Sequence, residues 1–348
     1  MNAGLLPKIH LHGLLDTITP SMRYDGKEEL SAWQSKARVK LAELLGFGEI
    51  EKYAVKPEIE IEYDVYAEDL DCREIRFRVR TEEDVTVPCH LCIPKDAKGA
   101  LPVAITLQGH SRGMHISLAR PKYPTDAETC NGGDRDFVRR ALKEGICGIS
   151  VEQRCFGENG SREDSSGVPD CREVAMRAIL LGRTLLGERV WDVMRLIDAL
   201  AADPRFADII DLNKLICLGN SGGGTATTYA SALDERIKIS VPSCAVCRYA
   251  DSIGARLHCE CNFVPHIAKY FDMGDLCAMI APRGLVVVNG MLDTDFPIDG
   301  AKACVEVGRE AYKAIGREMG IVHVIGSEGH RFYADGAWPH IHEFLGGL

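Results

Sequence analysis

The sequence predicts an α/β fold, with a mostly parallel central sheet and helices on both faces. Two observations carry this. Six short apolar runs follow residue 101: Val103–Leu107, Gly145–Val151, Lys214–Leu218, Lys238–Val241, Leu285–Val288 and Ile321–Ile325. Helical patterns separate most of them, and strands alternating with helices imply a parallel sheet covered on both sides. Glycine supplies 34 of 348 residues, above the usual ~7%. That excess suits a fold with many tight strand-to-helix turns.

The elements follow in chain order. Residues 28–46 read as an amphipathic helix, with Leu30, Trp33, Ala37, Leu41 and Leu44 on one face and Gly46 as its stop. Ile59–Tyr66, Glu74–Val79 and Val85–Ile93 read as strands of antiparallel hairpins. Beyond them, Val190, Met194, Ile197 and Ala201 share one helical face, as do Ala301, Val305 and Tyr312. The expected organisation is an N-terminal helical extension over 1–56 and a catalytic domain over 57–348. The domain opens with the hairpins at 57–94. Three long connections, about 110–135, 155–172 and 243–273, leave C-terminal strand ends. Functional loops of open α/β sheets lie there, so all three are expected to wall one pocket.

Composition excludes several classes. Hydrophobic residues are 46% and charged residues 26%, values of a globular chain rather than a disordered or fibrous one. The formal charge is −10, which argues against nucleic acid and against an anionic membrane surface as partners. No apolar run reaches the ~18 residues of a membrane span, and no signal peptide is recognisable. Fourteen cysteines are too dilute for a disulfide scaffold. The expected location is therefore the reducing cytoplasm, where the sequon Asn159-Gly160-Ser161 stays silent.

The chemistry centres on Leu215-Ile216-Cys217-Leu218-Gly219-Asn220-Ser221-Gly222-Gly223-Gly224. It reads strand, G-x-S-x-G, helix. A serine on so sharp a turn stands above the sheet as a nucleophile, and the Gly222 N–H faces a developing oxyanion. The motif alone also fits an ordinary small-residue turn. Its partners decide the matter, since an elbow needs an acid and then a histidine downstream. The run Leu285–Val288 leads to Asp293, and Ile321–Ile325 leads to Gly329-His330. Asp295 and Asp299 read as turn or cap carboxylates. His323 reads as a packing residue within a strand, and His340 and His342 as residues of the last helix.

Gly219-Asn220-Ser221-Gly222-Gly223, Gly290-Met291-Leu292-Asp293 with Phe296-Pro297, and Gly329-His330 together resemble the α/β-hydrolase superfamily. More narrowly they resemble its acetylxylan-esterase-like and dienelactone-hydrolase-like branch. Trp191-Asp192, Ala281-Pro282-Arg283 and His258-Cys259-Glu260-Cys261-Asn262 support the likeness, which spans roughly residues 30–348. The resemblance implies a second oxyanion donor in the loop after an earlier strand. That strand usually ends in His-Gly, but here the chain reads Leu107-Gln108-Gly109-His110-Ser111, with Gln108 in place of the histidine. The role passes to the His110 N–H. The family's Asp-x-Arg-Gly-like stretch is matched in part by Glu152-Gln153-Arg154-Cys155-Phe156-Gly157. Glu152 and Arg154 either support the site or a substrate polar group, or form an internal salt bridge. Gln108, Asn220 and Asp295 join them as candidate supporting or substrate-binding residues. Trp191 reads as packing and Asp192 as a helix-surface carboxylate.

Cys244-x2-Cys247 and Cys259-x-Cys261, with His258 and His266 nearby, form a rival metal pattern. The second pair is tighter than a zinc knuckle, so these read as buried free cysteines, with one or more thiols at the mouth of the site. No metal ligand is assigned, and the chemistry needs neither metal nor organic cofactor. The expected activity is serine-dependent carboxylic ester hydrolysis, on small acyl esters such as acetylated carbohydrates. The expected partner is a small-molecule ester, and homo-oligomer assembly stays open. Lactone, thioester or peptide hydrolysis on the same fold, or a catalytically silent binding protein, are the alternatives.

Overall fold

The computed structural model describes residues 6–160 and 169–348. Among these, nine strands form one sheet: β1 Ala54–Ala67, β2 Cys72–Glu82, β3 Val85–Pro94, β4 Leu101–Leu107, β5 Cys147–Val151, β6 Ile210–Asn220, β7 Ile239–Ser243, β8 Gly284–Gly290 and β9 Ile321–Gly326. Their order is β1-β2-β3-β5-β4-β6-β7-β8-β9. The β1–β2, β2–β3 and β3–β5 pairs are antiparallel, and every pair from β5–β4 to β8–β9 is parallel. The expected hairpins thus continue the expected parallel sheet edge to edge.

Alternation along the strands builds two cores. Val103, Ile105, Leu215, Cys217, Leu285 and Val287 face one way and pack with the helices Leu30–Leu45, Leu185–Ala202, Gly222–Leu233 and Met273–Ile280. Ala104, Ile216, Leu218, Val286 and Val288 face the other and pack with Phe137–Lys143 and Ala334–Gly346. Side chains of period two must fall on opposite faces. Burial on both faces is why these strands are apolar throughout.

The N-terminal helix runs Leu30–Leu45. Glu29 caps it by accepting the Ala32 N–H, and Gly46 ends it in the left-handed conformation. Leu30, Trp33, Ala37 and Leu41 are buried in the same core as the strands. On Leu185–Ala202 the buried face differs slightly from the expected one. Ala201 is exposed, while Val193, Leu196 and Leu200 lie inward beside Val190 and Ile197. Pro7–Thr17 adds a helix ahead of these that the sequence pattern did not mark. No helix among the described residues is long and apolar enough to cross a membrane.

The parallel register brings Leu107, Val151 and Gly219 level, Asn220 level with Ser243, and Gly290 level with Gly326. The loops that follow therefore leave one edge of the sheet together. Residues 161–168 of the 155–172 connection, including Ser161 of the sequon, lie outside the described residues.

Candidate active site

Ser221 sits between β6 and the helix Gly222–Leu233 at φ 57°, ψ −126°. A non-glycine residue there carries backbone strain of about 1–3 kcal/mol, held only by its surroundings. Here the Ser221 N–H donates to the Ser243 carbonyl at 2.8 Å, and the Ser221 carbonyl accepts from Thr225 N at 2.8 Å. Asn220 is buried, and its Oδ1 accepts from Ser243 Oγ at 2.9 Å. Its side chain thus ties the ends of β6 and β7 together.

Asp293 and His330 are brought together by the loops after β8 and β9. Met291 N donates to Gly326 O at 2.8 Å and Leu292 N to Glu328 O at 2.9 Å. The loops approach so closely that a Cβ on Gly290 would collide with the Gly329 carbonyl oxygen and lie 2.7 Å from that of Glu328. His330 Nδ1 then lies 2.8 Å from Asp293 Oδ2. The other carboxylate oxygen, Oδ1, accepts from Asp295 N at 2.8 Å and Phe296 N at 3.2 Å. Burial works to raise the Asp293 pKa, but the His330 contact outweighs it and holds it below the ordinary range. Beside it, burial pushes the Cys244 thiol up to about 12. The His330 ring stacks on Phe296 with centroids 6.0 Å apart.

The backbone at His330 is tied to the end of β7 and to Arg135. Ser243 Oγ and Cys244 Sγ reach the Arg331 carbonyl at 3.3 and 3.2 Å, and Ser243 also holds Ser221. Arg135 Nη2 donates to the His330 carbonyl at 3.0 Å. Nothing in the sequence singled out Arg135 or Ser243. Each acts through backbone groups of residues distant in sequence, which leaves no local motif.

The second side of the serine is the turn after β4. A Cβ on Gly109 would lie 2.8 Å from Ser221 Cβ and 2.7 Å from the Asn220 carbonyl oxygen. Only glycine lets this loop approach the elbow. Gly222 opens its helix, where amides lack intrahelical acceptors. The His110 ring packs so closely on Gly222 that a Cβ there would sit 2.9 Å from its Cε1. Its Nε2 points away, toward Cys261 Sγ at 3.2 Å. Burial would lower the His110 pKa, but Cys261 and Cys171 outweigh it and lift it to about 9.

The remaining candidates have their side chains engaged elsewhere. Gln108 is buried, and its Nε2 donates to Ser117 Oγ and to the Arg135 carbonyl, both at 2.7 Å. Glu152 is buried beneath the loops and accepts from Met114 N at 3.0 Å and Glu158 N at 3.1 Å. Burial pushes its pKa up to about 7. Arg154 forms the internal salt bridge of the two sequence readings, contacting Asp192, Glu82 and Glu188 at 2.7, 2.6 and 3.2 Å. Asp192 is therefore buried rather than on a helix surface; it also accepts from Thr81 Oγ1 at 2.8 Å. The Asp295 carboxylate pairs with Arg256 at 2.8 Å and only its backbone N–H meets Asp293. Asp299 is exposed. His323 contacts Asn289 Oδ1 at 3.1 Å, with its pKa pushed down to about 4 by burial. The cysteine quartet of the metal pattern is split. Cys244 and Cys247 pack against Phe296, whereas Cys259 and Cys261 pack with Cys155 and Cys171.

Comparison with known proteins agrees with this architecture. The model of the Abhydrolase family matches residues 9–311. YtaP of Bacillus subtilis (strain 168), provisionally named a hydrolase, is 23% identical over 216 residues, which is 61% of this chain and 67% of that protein. The 4-O-methyl-glucuronoyl methylesterase of Thermothelomyces thermophilus is 30% identical over 166 residues, 40% of this chain and 41% of that enzyme. Among solved structures, a Bacteroides fragilis NCTC 9343 protein provisionally assigned as an acetyl xylan esterase (BF1801) superposes with a TM-score of 0.76 at 17% identity. That match covers 97% of this chain and 84% of the other. The chain is a member of the Abhydrolase family, within the α/β-hydrolase superfamily.

Proposed function

We propose that this protein is a serine carboxylesterase that cleaves small acyl esters, such as acetylated carbohydrates, through an acyl-enzyme. One observation carries the reading: a strained Ser221 on the β6 turn, with an Asp293–His330 pair at 2.8 Å on the loops after β8 and β9. As Ser221 Oγ attacks the ester carbonyl, His330 Nε2 takes its proton. Asp293 fixes the imidazole through Nδ1 and stabilises the imidazolium. The tetrahedral oxyanion lies between the N–H groups of Gly222 and His110, each donor lowering the barrier by about 3–4 kcal/mol. His330 returns the proton to the leaving alcohol, and water, deprotonated by the same imidazole, releases the acid.

The carbohydrate part of the proposal draws on the names of two relatives, an acetyl xylan esterase assignment and a glucuronoyl methylesterase. The fourteen free thiols support a reducing, cytoplasmic setting. A fluorophosphonate probe tests the core of the reading. One adduct per chain on the wild type, absent from Ser221→Ala, is the expected result. No adduct overturns it in favour of a silent binding protein, and one that survives Ser221→Ala overturns it by placing the nucleophile elsewhere. With labelling established, sugar acetates, lactones, thioesters, peptides and a glucuronate methyl ester rank the substrates. The proposal expects the acetates to turn over fastest.

A further inference from the structure

Three long connections leave β4, β5 and β7, and they meet beside the elbow. Each delivers a soft ligand. His110 belongs to the first, Cys171 ends the second and opens the helix Cys171–Leu180, and Cys259 and Cys261 belong to the third. One ligand atom from each lies within 4.8 Å of all the others. His110 Nε2 is 3.2 Å from Cys261 Sγ and 3.7 Å from Cys171 Sγ. Around a tetrahedral zinc, with Zn–S of about 2.3 Å and Zn–N of about 2.0 Å, neighbouring ligand atoms stand roughly 3.5–3.8 Å apart. We propose that His110, Cys171, Cys259 and Cys261 form a structural zinc site that staples the three long connections and fixes the His110 turn against Gly222.

A buried cation supports this independently. Arg189 is 1% exposed. Its guanidinium donates to the Arg154 carbonyl at 2.8 Å and to Cys171 Sγ at 3.2 Å, and lies over the Phe156 ring at 4.3 Å. Among the described residues no carboxylate pairs with it. The contrast with Arg154 is direct, since that buried guanidinium has three carboxylates around it. An unpaired buried charge is costly. Three thiolates and one imidazole around a dication carry a net charge of −1, which Arg189 balances.

The ligand set favours zinc over harder ions. Three sulfurs and one imidazole nitrogen are a soft tetrahedral set, with no carboxylate or carbonyl among them. Binding exchanges protons and nothing else: the metal enters as the dication, the protons held by the three thiols and by His110 Nε2 leave to water, and no electron moves. Cys171 and Cys261 are buried while Cys259 is partly exposed, which leaves one side for entry. Nε2 faces the metal and the Nδ1–Cε1 edge faces Gly222, so the metal holds the ring, and through it the His110 backbone, in place. The metal site stands without the esterase reading; only its effect on turnover rests on that reading.

The test uses the full chain, purified without chelators from zinc-supplemented culture. About one zinc per chain is expected by elemental mass spectrometry, retained in Ser221→Ala and lost in Cys261→Ser. Because Cys261→Ser could fail to fold, the wild type is also stripped, reduced anaerobically and given cobalt(II). Thiolate-to-cobalt charge transfer and the intense visible bands of tetrahedral cobalt are expected. Substoichiometric zinc with a weak octahedral cobalt spectrum overturns the proposal, as does a disulfide among these cysteines in protein kept reduced, or full zinc retention in a folded Cys261→Ser. Fluorophosphonate labelling separates the two readings: zinc without labelling sinks the esterase and supports the metal site, and labelling without zinc does the reverse.

Discussion

The two sides of Ser221 are built differently. On one side, Asp293 and His330 ride on short loops after adjacent strands, each ending a compact motif. On the other, His110 sits among long connections whose contacts join residues 61 apart, His110 with Cys171, and 151 apart, His110 with Cys261. The first side is held by strand register and glycine-tight backbone contacts. The second is held by buried side chains, with the Arg189 guanidinium against Cys171. Acid–base geometry tolerates almost no slack, so it rests on the sheet. In the proposed mechanism the oxyanion side is assembled from loops, which calls for something to tie those loops down.

In the proposed mechanism both sides serve Ser221, so its removal sets the upper limit. Ser221→Ala is expected to lower kcat on an ester substrate roughly a millionfold while leaving the urea midpoint nearly unchanged. Asp293→Asn separates the acid from its neighbour. A loss of roughly ten-thousandfold in kcat is expected, whereas Asp295→Asn, altering an exposed ion pair worth about 0–1 kcal/mol, should leave kcat within twofold or so. Equal losses in the two variants would reverse the assignment.

The tight side breaks through its backbone. Gly290→Ala drives a Cβ into the Gly329 carbonyl. It should cost about 3 kcal/mol in urea unfolding and pull Asp293 out of hydrogen-bond reach of His330. The loop side responds to pH instead. The folded Glu152 pKa of about 7 lies above the ~4.3 of an unfolded chain. Its contribution to stability is therefore complete below about pH 4 and is lost as pH rises through about 7, about 4 kcal/mol in all. Glu152→Gln loses one acceptor and some baseline stability. The readout is the slope: unfolding free energy between about pH 5 and pH 8 should fall less steeply than in the wild type.

Much of the fold was legible because its signals are local. Apolar runs such as Val103–Leu107 and Leu285–Val288 must be strands buried on both faces, and the Gly219-Asn220-Ser221-Gly222 turn carries its conformation in its own residues. Helix faces were less sharp. Ala201 fits the periodicity as well as Leu200 does, and only the neighbouring strands decide which turns inward. Asp192 looked like a surface carboxylate because no local pattern announces Arg154 as its partner.

By itself the sequence determined the strand–helix alternation, the elbow, and the order Ser221, Asp293, His330, since each is written within a few residues. The tertiary structure alone decided which carboxylate faces His330, that Arg154 is spent on Glu82, Glu188 and Asp192 rather than on a substrate, and that Cys259 and Cys261 meet Cys171 and His110 rather than Cys244 and Cys247. The physical reason is range. Periodicity and turn chemistry act over one turn of chain, whereas charge pairing and thiol clustering depend on which loops the sheet brings to the same edge.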